Sequence, residues 1–339
     1  MSTENTSKEC IRVMQKLLDI MRAGPELVVF MDRFLTNIQK CDRRVLMCDA
    51  VNSLFTEECF FTTKNLELFK NNIKIIAPPK LIQEKEVSSD RISFYPFKIL
   101  GCGGFSTVHL GTLKNDSQNT KIAVKITESS LNEFMLEISA MCKLSHQNIL
   151  PILGYNLENK MILTEYMEKG SLHDVCCFKN VPTTNHLYKY IFEVIQGLQF
   201  IHDNKFIHRD LSIRNVFVDE NNSCKIGDFG FAVHVGNAGQ FRSQGSRLET
   251  YHSSPESFYE QKFSYASDIF SLGILILEIM LSPAKITNPL LLRLPNVTIP
   301  KPKRCPDNLY RIIQSSLDIN PQRRPTIKDF NVLIKSLLE

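Results

Sequence analysis

The chain has 339 residues, of which 43% are hydrophobic and 22% charged, proportions typical of globular proteins. Its 40 basic and 36 acidic residues leave a net charge of +4, too small an excess to predict a nucleic-acid-binding protein. The longest apolar run, residues 269–281, is shorter than the ~20 residues that a bilayer requires. We therefore expect a buried helix there and no transmembrane segment. The 10 cysteines include no C-x-x-C pair and no signal peptide is evident, so we expect reduced thiols in a cytoplasmic protein.

Residues 1–77 are predicted to be helical, because apolar residues recur every three or four positions. The segment carries 11 basic and 10 acidic residues, a net charge of +1, whereas a membrane-binding helix usually has a richer basic face. We expect these helices to pack as a bundle or collar that serves in self-association. Pro78-Pro79 marks the boundary that follows.

A change of pattern near Ile92 indicates a second domain. Residues 78–92 read as a linker or brace, and short β-rich runs follow at 94–104, 107–113 and 121–127. After residue 131 the pattern becomes helical. A small strand-rich part and a larger helical part over residues 93–339 predict two lobes with a cleft between them.

The glycine loop, Gly101, Gly103 and Gly104, lies between two of the predicted strands. Glycines allow backbone N–H groups to approach phosphate oxygens without an intervening Cβ atom. Tight hairpin turns also favour glycine, so the loop alone leaves both interpretations open.

Lys125 lies in an apolar strand, where a charge is costly unless it is paired. Glu137, in the following predicted helix, is an available partner. The alternative is a surface lysine on an edge strand.

Several further motifs follow in a fixed order: His208-Arg209-Asp210-Leu211-Ser212-Ile213-Arg214-Asn215, Asp228-Phe229-Gly230, Ser254-Pro255-Glu256, Asp268 and Arg324-Pro325. Together they are much more specific than any one of them. The sequence with these motifs resembles the protein kinase family over residues 93–339. The resemblance implies an α+β, bilobal protein kinase fold preceded by the all-helical N-terminal segment, with a five-stranded antiparallel sheet and one helix above a mostly helical lobe.

The resemblance implies the chemistry of phosphoryl transfer from ATP. Lys125, oriented by Glu137, would hold the α- and β-phosphates. Asp210 would accept the proton of the substrate hydroxyl group, and Asn215 and Asp228 would hold Mg²⁺. This agrees with the physical demands of the reaction, which needs positioning and charge neutralisation more than covalent help.

The resemblance also implies an ATP-binding surface around the glycine loop, which would cover the phosphates. Val108 and Ala123 match the positions that sandwich adenine. Thr164 stands at the gatekeeper position. Glu165 and Met167 would offer backbone hydrogen bonds to adenine.

The same motifs do not determine whether the phosphoryl group is transferred to serine, threonine or tyrosine. Ser212 stands where serine/threonine kinases usually carry lysine, whereas Arg214 matches tyrosine kinases and some tyrosine-kinase-like kinases and is assigned to the catalytic set. Residues 248–253 match neither group. We expect a signalling kinase of tyrosine-kinase-like character with a protein substrate or a partner kinase.

A second resemblance concerns Pro78-Pro79-Lys80, Gln83-Glu84, Cys305-Pro306 and residues 320–325. These are similar to the mixed lineage kinase domain-like family of necroptosis effectors. Usual members have lost the catalytic and metal-binding aspartates, whereas Asp210 and Asp228 are present here. The alternative function is a shortened homologue, of host or viral origin, that sequesters a receptor-interacting kinase and modulates necroptosis.

The loop from Asp228 to Glu256 is rich in hydroxyl groups. A phosphate on this loop is expected to pair with Arg209, which directly precedes Asp210. The candidate acceptors are Ser243, Ser246, Thr250, Tyr251 and Ser253.

Overall fold

The structure is a computed structural model. It describes residues 79–104, 106–114, 119–177, 182–243, 252–284, 286, 289–294 and 299–338. The helices expected over residues 1–77 and the loop hydroxyl groups of Ser246, Thr250 and Tyr251 lie outside these residues. The chain divides into two units, residues 1–75 with 130–136 and residues 76–129 with 137–339.

A five-stranded antiparallel sheet forms the N-terminal part of the second unit, with strand order β1-β2-β3-β5-β4. The three predicted strands are confirmed, with boundaries that differ by at most two residues from those expected. Buried side chains that include Ile122, Val124 and Leu163 form the apolar core of the sheet. The strands are β1 (Ile92–Cys102), β2 (Ser106–Lys114), β3 (Asn119–Thr127), β4 (Ile152–Asn156) and β5 (Met161–Glu165).

The segment before β1 packs against the β4 edge of this sheet. It opens with helix α1 (Pro79–Gln83), whose first residue is a proline, tolerated there because the first turn requires no N–H donor. The amide of Val87 donates to the carbonyl oxygen of Tyr155 at 2.8 Å. The approach is close, because a Cβ atom on Gly154 would lie 2.5 Å from Val87 Cγ2. The described part of the expected linker, 78–92, is thus attached to the sheet by backbone hydrogen bonds.

Helix α2 (Leu131–Lys143) follows β3. Its first turn is capped by Ser130 and Glu133. The amide of Ser130 donates to Glu133 Oε2 at 3.0 Å, and the amide of Glu133 donates to Ser130 Oγ at 3.3 Å. This reciprocal capping fixes where the helix starts.

The rest of the described chain is mostly helical. The long helices α4 and α6 each pack on a C-terminal helix, α4 on α8 and α6 on α7. The buried helix expected over residues 269–281 is confirmed as the greater part of α6. The elements are α3 (Leu172–Cys177), α4 (Thr184–Asp203), β6 (Phe206–Ile207), β7 (Val216–Val218), β8 (Cys224–Ile226), β9 (Val233–His234), β10 (Gln240–Arg242), α5 (Pro255–Glu260), β11 (Lys262–Ser264), α6 (Tyr265–Leu281), α7 (Asp307–Ser316) and α8 (Ile327–Leu338).

Across the described ranges, none of the helices has both the length and the apolar character needed to cross a bilayer.

A buried ion pair ties α5 to the C-terminal region. Arg324 donates to both carboxylate oxygens of Glu256, at 2.7 and 2.8 Å. The same guanidinium also donates to the carbonyl oxygens of Ala266 and Asp318, each at 2.9 Å. Since the Arg324 side chain is fully buried, every one of these bonds replaces a lost contact with water.

We expect Glu256→Ala to destabilise the protein, because it leaves the buried guanidinium of Arg324 without its counter-charge. Chemical denaturation should show a loss of about 3–5 kcal/mol in the free energy of unfolding. The control Glu84→Ala removes the exposed Lys80–Glu84 pair, 3.9 Å apart, and should cost less than about 0.5 kcal/mol. Equal losses in the two variants would contradict the anchoring role.

Candidate functional site

A buried carboxylate, that of Asp268, fixes the backbone of the loop of residues 208–215, which lies between β6 and β7. Asp268, in the first turn of α6, accepts hydrogen bonds from the backbone amides of His208 at 2.8 Å and Arg209 at 3.0 Å. Its Oδ2 atom also lies 3.0 Å from Nε2 of His202. Three partners thus satisfy this buried carboxylate, and the loop backbone depends on it.

Asp210 and Asn215 are joined across this loop. The amide nitrogen of the Asn215 side chain donates to the Asp210 carbonyl oxygen at 2.8 Å and to Asp210 Oδ2 at 2.9 Å. Both donors of the Asn215 amide are thereby used, and its side-chain oxygen accepts no hydrogen bond from a described residue. Burial raises the pKa of Asp210 above its ordinary value, and the carboxylate of Asp228 adds to the rise.

Lys125, on β3, contacts two carboxylates from distant parts of the chain. Its Nζ atom donates to Glu137 Oε1 at 2.7 Å and to Asp228 Oδ1 at 2.9 Å. Burial acts to lower the pKa of Lys125, but the two carboxylates outweigh it and the pKa rises above its ordinary value. Lys125 is therefore a fixed positive charge at every physiological pH. The sequence indicates the pairing of Lys125 with Glu137, but nothing in the spacing of the residues points to its contact with Asp228.

Asp228 is held as a carboxylate. Burial acts to raise its pKa, but Lys125 outweighs it and the pKa falls below its ordinary value. The backbone of Asp228 has a φ of 60°, a left-handed conformation that costs energy in a residue with a Cβ atom. The next side chain, Phe229, is buried with its ring centroid 5.2 Å from that of His208. Packing of Phe229 thus supports the strained backbone that presents Asp228.

The oxygen atoms of Asn215 and Asp228 suit a Mg²⁺ ion. The amide of Gly227, the residue before Asp228, donates to the carbonyl oxygen of Asn215 at 2.8 Å, which joins the backbones of the two segments that carry these residues. No group of three or more His, Cys, Asp or Glu residues arranged to hold a metal occurs in the described part of the chain. The fit to Mg²⁺ rests on ligand type, because this ion takes one or two carboxylates from the protein and its other ligands from phosphates and water.

The glycine loop forms the turn between β1 and β2. The amide of Gly103 donates to the carbonyl oxygen of Ser106 at 2.7 Å and closes the turn. A Cβ atom on Gly101 or Gly104 would meet no atom within 4 Å. Among the described residues, no atom packs against these two positions, which leaves room there for an approaching group.

The predicted adenine-binding residues lie on adjacent strands. Ala123 on β3 pairs with Thr164 on β5, and Val108 on β2 pairs with Lys125. Thr164 is buried. The carbonyl oxygen of Met167 accepts a hydrogen bond from the amide of Gly170 at 3.0 Å, which fixes the backbone after β5.

The side chain of Glu165, at the end of β5, forms an ion pair with Lys225 on β8. The sequence patterns gave no signal for this pair, because the two residues are 60 positions apart. The contact joins the end of β5 to β8, the strand that leads into Asp228.

The two predicted arginines of this loop have different surroundings. Arg214 is exposed, and its side chain makes no polar contact with the residues that the structure describes. It is not part of the cluster around Lys125. The guanidinium of Arg209 lies against the rings of Phe241 and Phe263, and its pairing with a loop phosphate stays a prediction.

We expect Lys125→Met to destabilise the protein in a pH-dependent manner. Burial already raises the pKa of Glu137, and loss of the cation would raise it further. Loss of the cation would also remove the interaction that holds the pKa of Asp228 below its ordinary value, so that burial would raise it. A carboxyl group with a raised folded-state pKa loses its stabilising contribution as the pH rises through that pKa. Urea denaturation should show a deficit of about 3–5 kcal/mol near pH 8 and a much smaller deficit near pH 4.

The control for this experiment is Lys301→Met, which removes an exposed pair with Asp307 and should change stability little at either pH. A deficit in Lys125→Met that is constant across the pH range would show that the lysine does not hold the two carboxylates in their charged form.

The comparison with known families agrees with this geometry. The family model described as protein tyrosine and serine/threonine kinase matches residues 96–334, which is most of the chain and contains every residue of the site above. Enzymes of this family generally use ATP and Mg²⁺ and act on protein substrates. The chain belongs to the protein tyrosine and serine/threonine kinase family and is a protein kinase.

Proposed function

We propose that this kinase transfers the γ-phosphoryl group of Mg²⁺-bound ATP to a hydroxyl group of a protein through the residues around Lys125. The observation that carries the proposal is the double ion pair of Lys125, which unites Glu137 and Asp228 although Asp228 lies 103 positions away in the chain. A partly buried cation between two carboxylates is the arrangement that phosphoryl transfer requires for binding and orienting phosphates.

The glycine loop covers the phosphates in this proposal, and Lys125 binds the α- and β-phosphate oxygens. The open space beside Gly101 and Gly104 supports this assignment, because phosphate oxygens can approach the backbone there. Adenine is placed between Val108 and Ala123 and against the residues from Thr164 to Met167.

Asn215 and Asp228 would hold Mg²⁺. Bound there, the ion neutralises charge on the phosphate oxygens. The chain supplies an Asp228 that stays ionised because Lys125 lowers its pKa. It also supplies an Asn215 whose side-chain oxygen remains available, because its nitrogen is bonded to Asp210.

Asp210 accepts the proton of the acceptor hydroxyl group. The hydroxyl oxygen forms a bond to the γ-phosphorus atom while the bond from phosphorus to the β–γ bridging oxygen breaks, and the proton moves to the Asp210 carboxylate. Asn215 holds that carboxylate in place. Burial raises the pKa of Asp210, which makes it a stronger base than an exposed aspartate.

We infer a tyrosine-kinase-like character for the acceptor site. Arg214 is exposed on the catalytic loop, where it can meet a substrate. Ser212 takes the position at which serine/threonine kinases usually carry a lysine, and it is buried. Whether serine, threonine or tyrosine is the acceptor is decided by analysis of the phosphorylated product.

We expect wild-type protein to transfer labelled γ-phosphate to itself or to a generic protein substrate. Asp210→Asn should lower the rate by about 10²–10⁴-fold, because it removes the general base. The thermal midpoint should rise with Mg-ATP in wild type and in Asp210→Asn, and should not rise in Asp228→Asn. Absence of a rise in wild type at millimolar Mg-ATP would contradict the assignment of the ATP site.

A second candidate function is that of a binding module. The segment with the brace-like sequence is packed on β4, where Ile82 and Val87 are buried, so it is a fixed surface of the kinase unit. In this candidate, the chain sequesters a receptor-interacting kinase and modulates necroptosis. Wild type that binds Mg-ATP but transfers no phosphate, and that binds a partner kinase as tightly as Asp210→Asn does, would favour it.

We expect Thr164→Met to weaken inhibitors that extend behind adenine. Thr164 is small and buried, and a methionine there would overpack the pocket by about 1–3 kcal/mol. Dissociation constants from calorimetry test this, with Val332→Met as the control because Val332 is 74% exposed on α8. Unchanged affinity in Thr164→Met would show that this residue does not line the inhibitor pocket.

A further inference from the structure

The guanidinium of Arg209 lies over two aromatic rings, here called the aromatic pair, Phe241 and Phe263. Its Cζ atom is 4.1 Å from the ring centroid of Phe263 and 5.0 Å from that of Phe241. The two phenylalanines are cross-strand partners on β10 and β11, and their ring centroids are 6.3 Å apart. Phe263 is buried and Phe241 is partly buried. The pair therefore presents one continuous aromatic surface to a cation.

This single side chain connects three parts of the kinase unit. β10 belongs to the segment that follows Asp228, whereas β11 directly precedes α6. The Nη1 atom of Arg209 also donates to the carbonyl oxygen of Phe231, three residues after Asp228, at 3.3 Å. Arg209 thus fastens the segment after Asp228 to the catalytic loop.

The backbone conformation of Arg209 requires stabilising contacts such as those of its side chain with the two rings. Its φ of 71° is a strained, left-handed conformation, which persists only where the surroundings impose it. Asp268 holds the amide of Arg209 at 3.0 Å, and the aromatic pair holds the guanidinium. Asp210 is the next residue, so any relaxation of Arg209 would move the carboxylate that takes the proton.

Charge is retained in this environment. Burial lowers the pKa of Arg209 to about 10, so the guanidinium is still protonated at neutral pH. A desolvated cation is attracted to an aromatic face more strongly than an exposed one. The Nε atom of Arg209 is buried and has no hydrogen-bond partner among the described residues, so the rings provide much of what replaces water.

We propose that Phe241 and Phe263 are positioning residues for phosphoryl transfer, because they hold Arg209 and through it the adjacent Asp210. The aromatic surface takes the role that an anion would otherwise have for this arginine, so transfer does not require a phosphate on the loop between Asp228 and Glu256. The proposal rests on the proposed kinase function and identifies how its catalytic loop is kept in place.

The test compares Phe241→Leu with Phe241→Tyr in the full chain. Leucine keeps an apolar side chain but removes the aromatic face, whereas tyrosine keeps the face. We expect kcat to fall about tenfold in Phe241→Leu with little change in the KM for ATP, and to recover in Phe241→Tyr. The matched control is Tyr95→Leu, which removes an exposed ring that lies 5.1 Å from Lys98 Nζ and should leave kcat unchanged.

Amide hydrogen exchange of residues 208–215 supplies a readout that does not depend on turnover. Exchange should rise in Phe241→Leu and stay at the wild-type rate in Phe241→Tyr and Tyr95→Leu. Treatment of wild type with a protein phosphatase should leave kcat unchanged.

The outcomes separate this proposal from the proposed function. Unchanged exchange or unchanged kcat in Phe241→Leu would overturn the positioning role, as would a loss of activity after phosphatase treatment. Wild type that transfers no phosphate would overturn the proposed function instead, and hydrogen exchange would then still decide whether the aromatic pair holds the loop.

Discussion

The rest of the site depends on the two ion pairs of Lys125. Lys125 contacts Glu137 on α2 and Asp228 after β8, so one cation joins a strand, a helix and a loop. The cluster has two carboxylates for a single cation and therefore an excess negative charge. In this partly buried cluster, such an excess is costly unless a further cation is present, which is consistent with the Mg²⁺ ion proposed beside Asp228.

Strain in the backbone is concentrated beside the same chemistry. Arg209 and Asp228 both have left-handed φ angles, and neither is a glycine. Each is held by specific contacts, Arg209 by Asp268 and the aromatic pair, and Asp228 by Lys125 and the packing of Phe229. A strained residue relaxes when its supporting contacts are lost. These contacts therefore control the positions of Asp228 and of Asp210, the residue that follows Arg209.

Sequence patterns predicted the local features well and the long-range contacts only in part. The strands from β1 to β3 and the buried part of α6 follow from short β-rich runs and from a long, mostly apolar run, which are properties of neighbouring residues. The Lys125–Glu137 pair spans 12 positions and could be inferred from the cost of an unpaired lysine. Lys125–Asp228 spans 103 positions, and only the kinase resemblance gave a reason to bring those residues together.

Other contacts had no signal in the sequence. Phe241 and Phe263 are ordinary apolar residues, and their meeting with Arg209 depends on the pairing of β10 with β11. The ion pair of Glu165 with Lys225 depends likewise on the fold, which places β8 next to the end of β5. The contact of the Arg209 guanidinium with the faces of these two rings is likewise not indicated by the charge pattern of the sequence.

The short strand β8 shows how these separate contacts combine to place Asp228. The amide of Cys224 donates to Glu193 Oε2 at 2.7 Å, Lys225 pairs with Glu165, and the amide of Ile226 donates to the carbonyl oxygen of Asn148 at 2.9 Å. Each residue of the strand is thus fixed by a different element. Asp228 follows two residues later, so little backbone freedom remains before it reaches Lys125. The position of the Asp228 carboxylate is therefore set jointly by α4, by the end of β5 and by the loop before β4, rather than only by the loop that carries it.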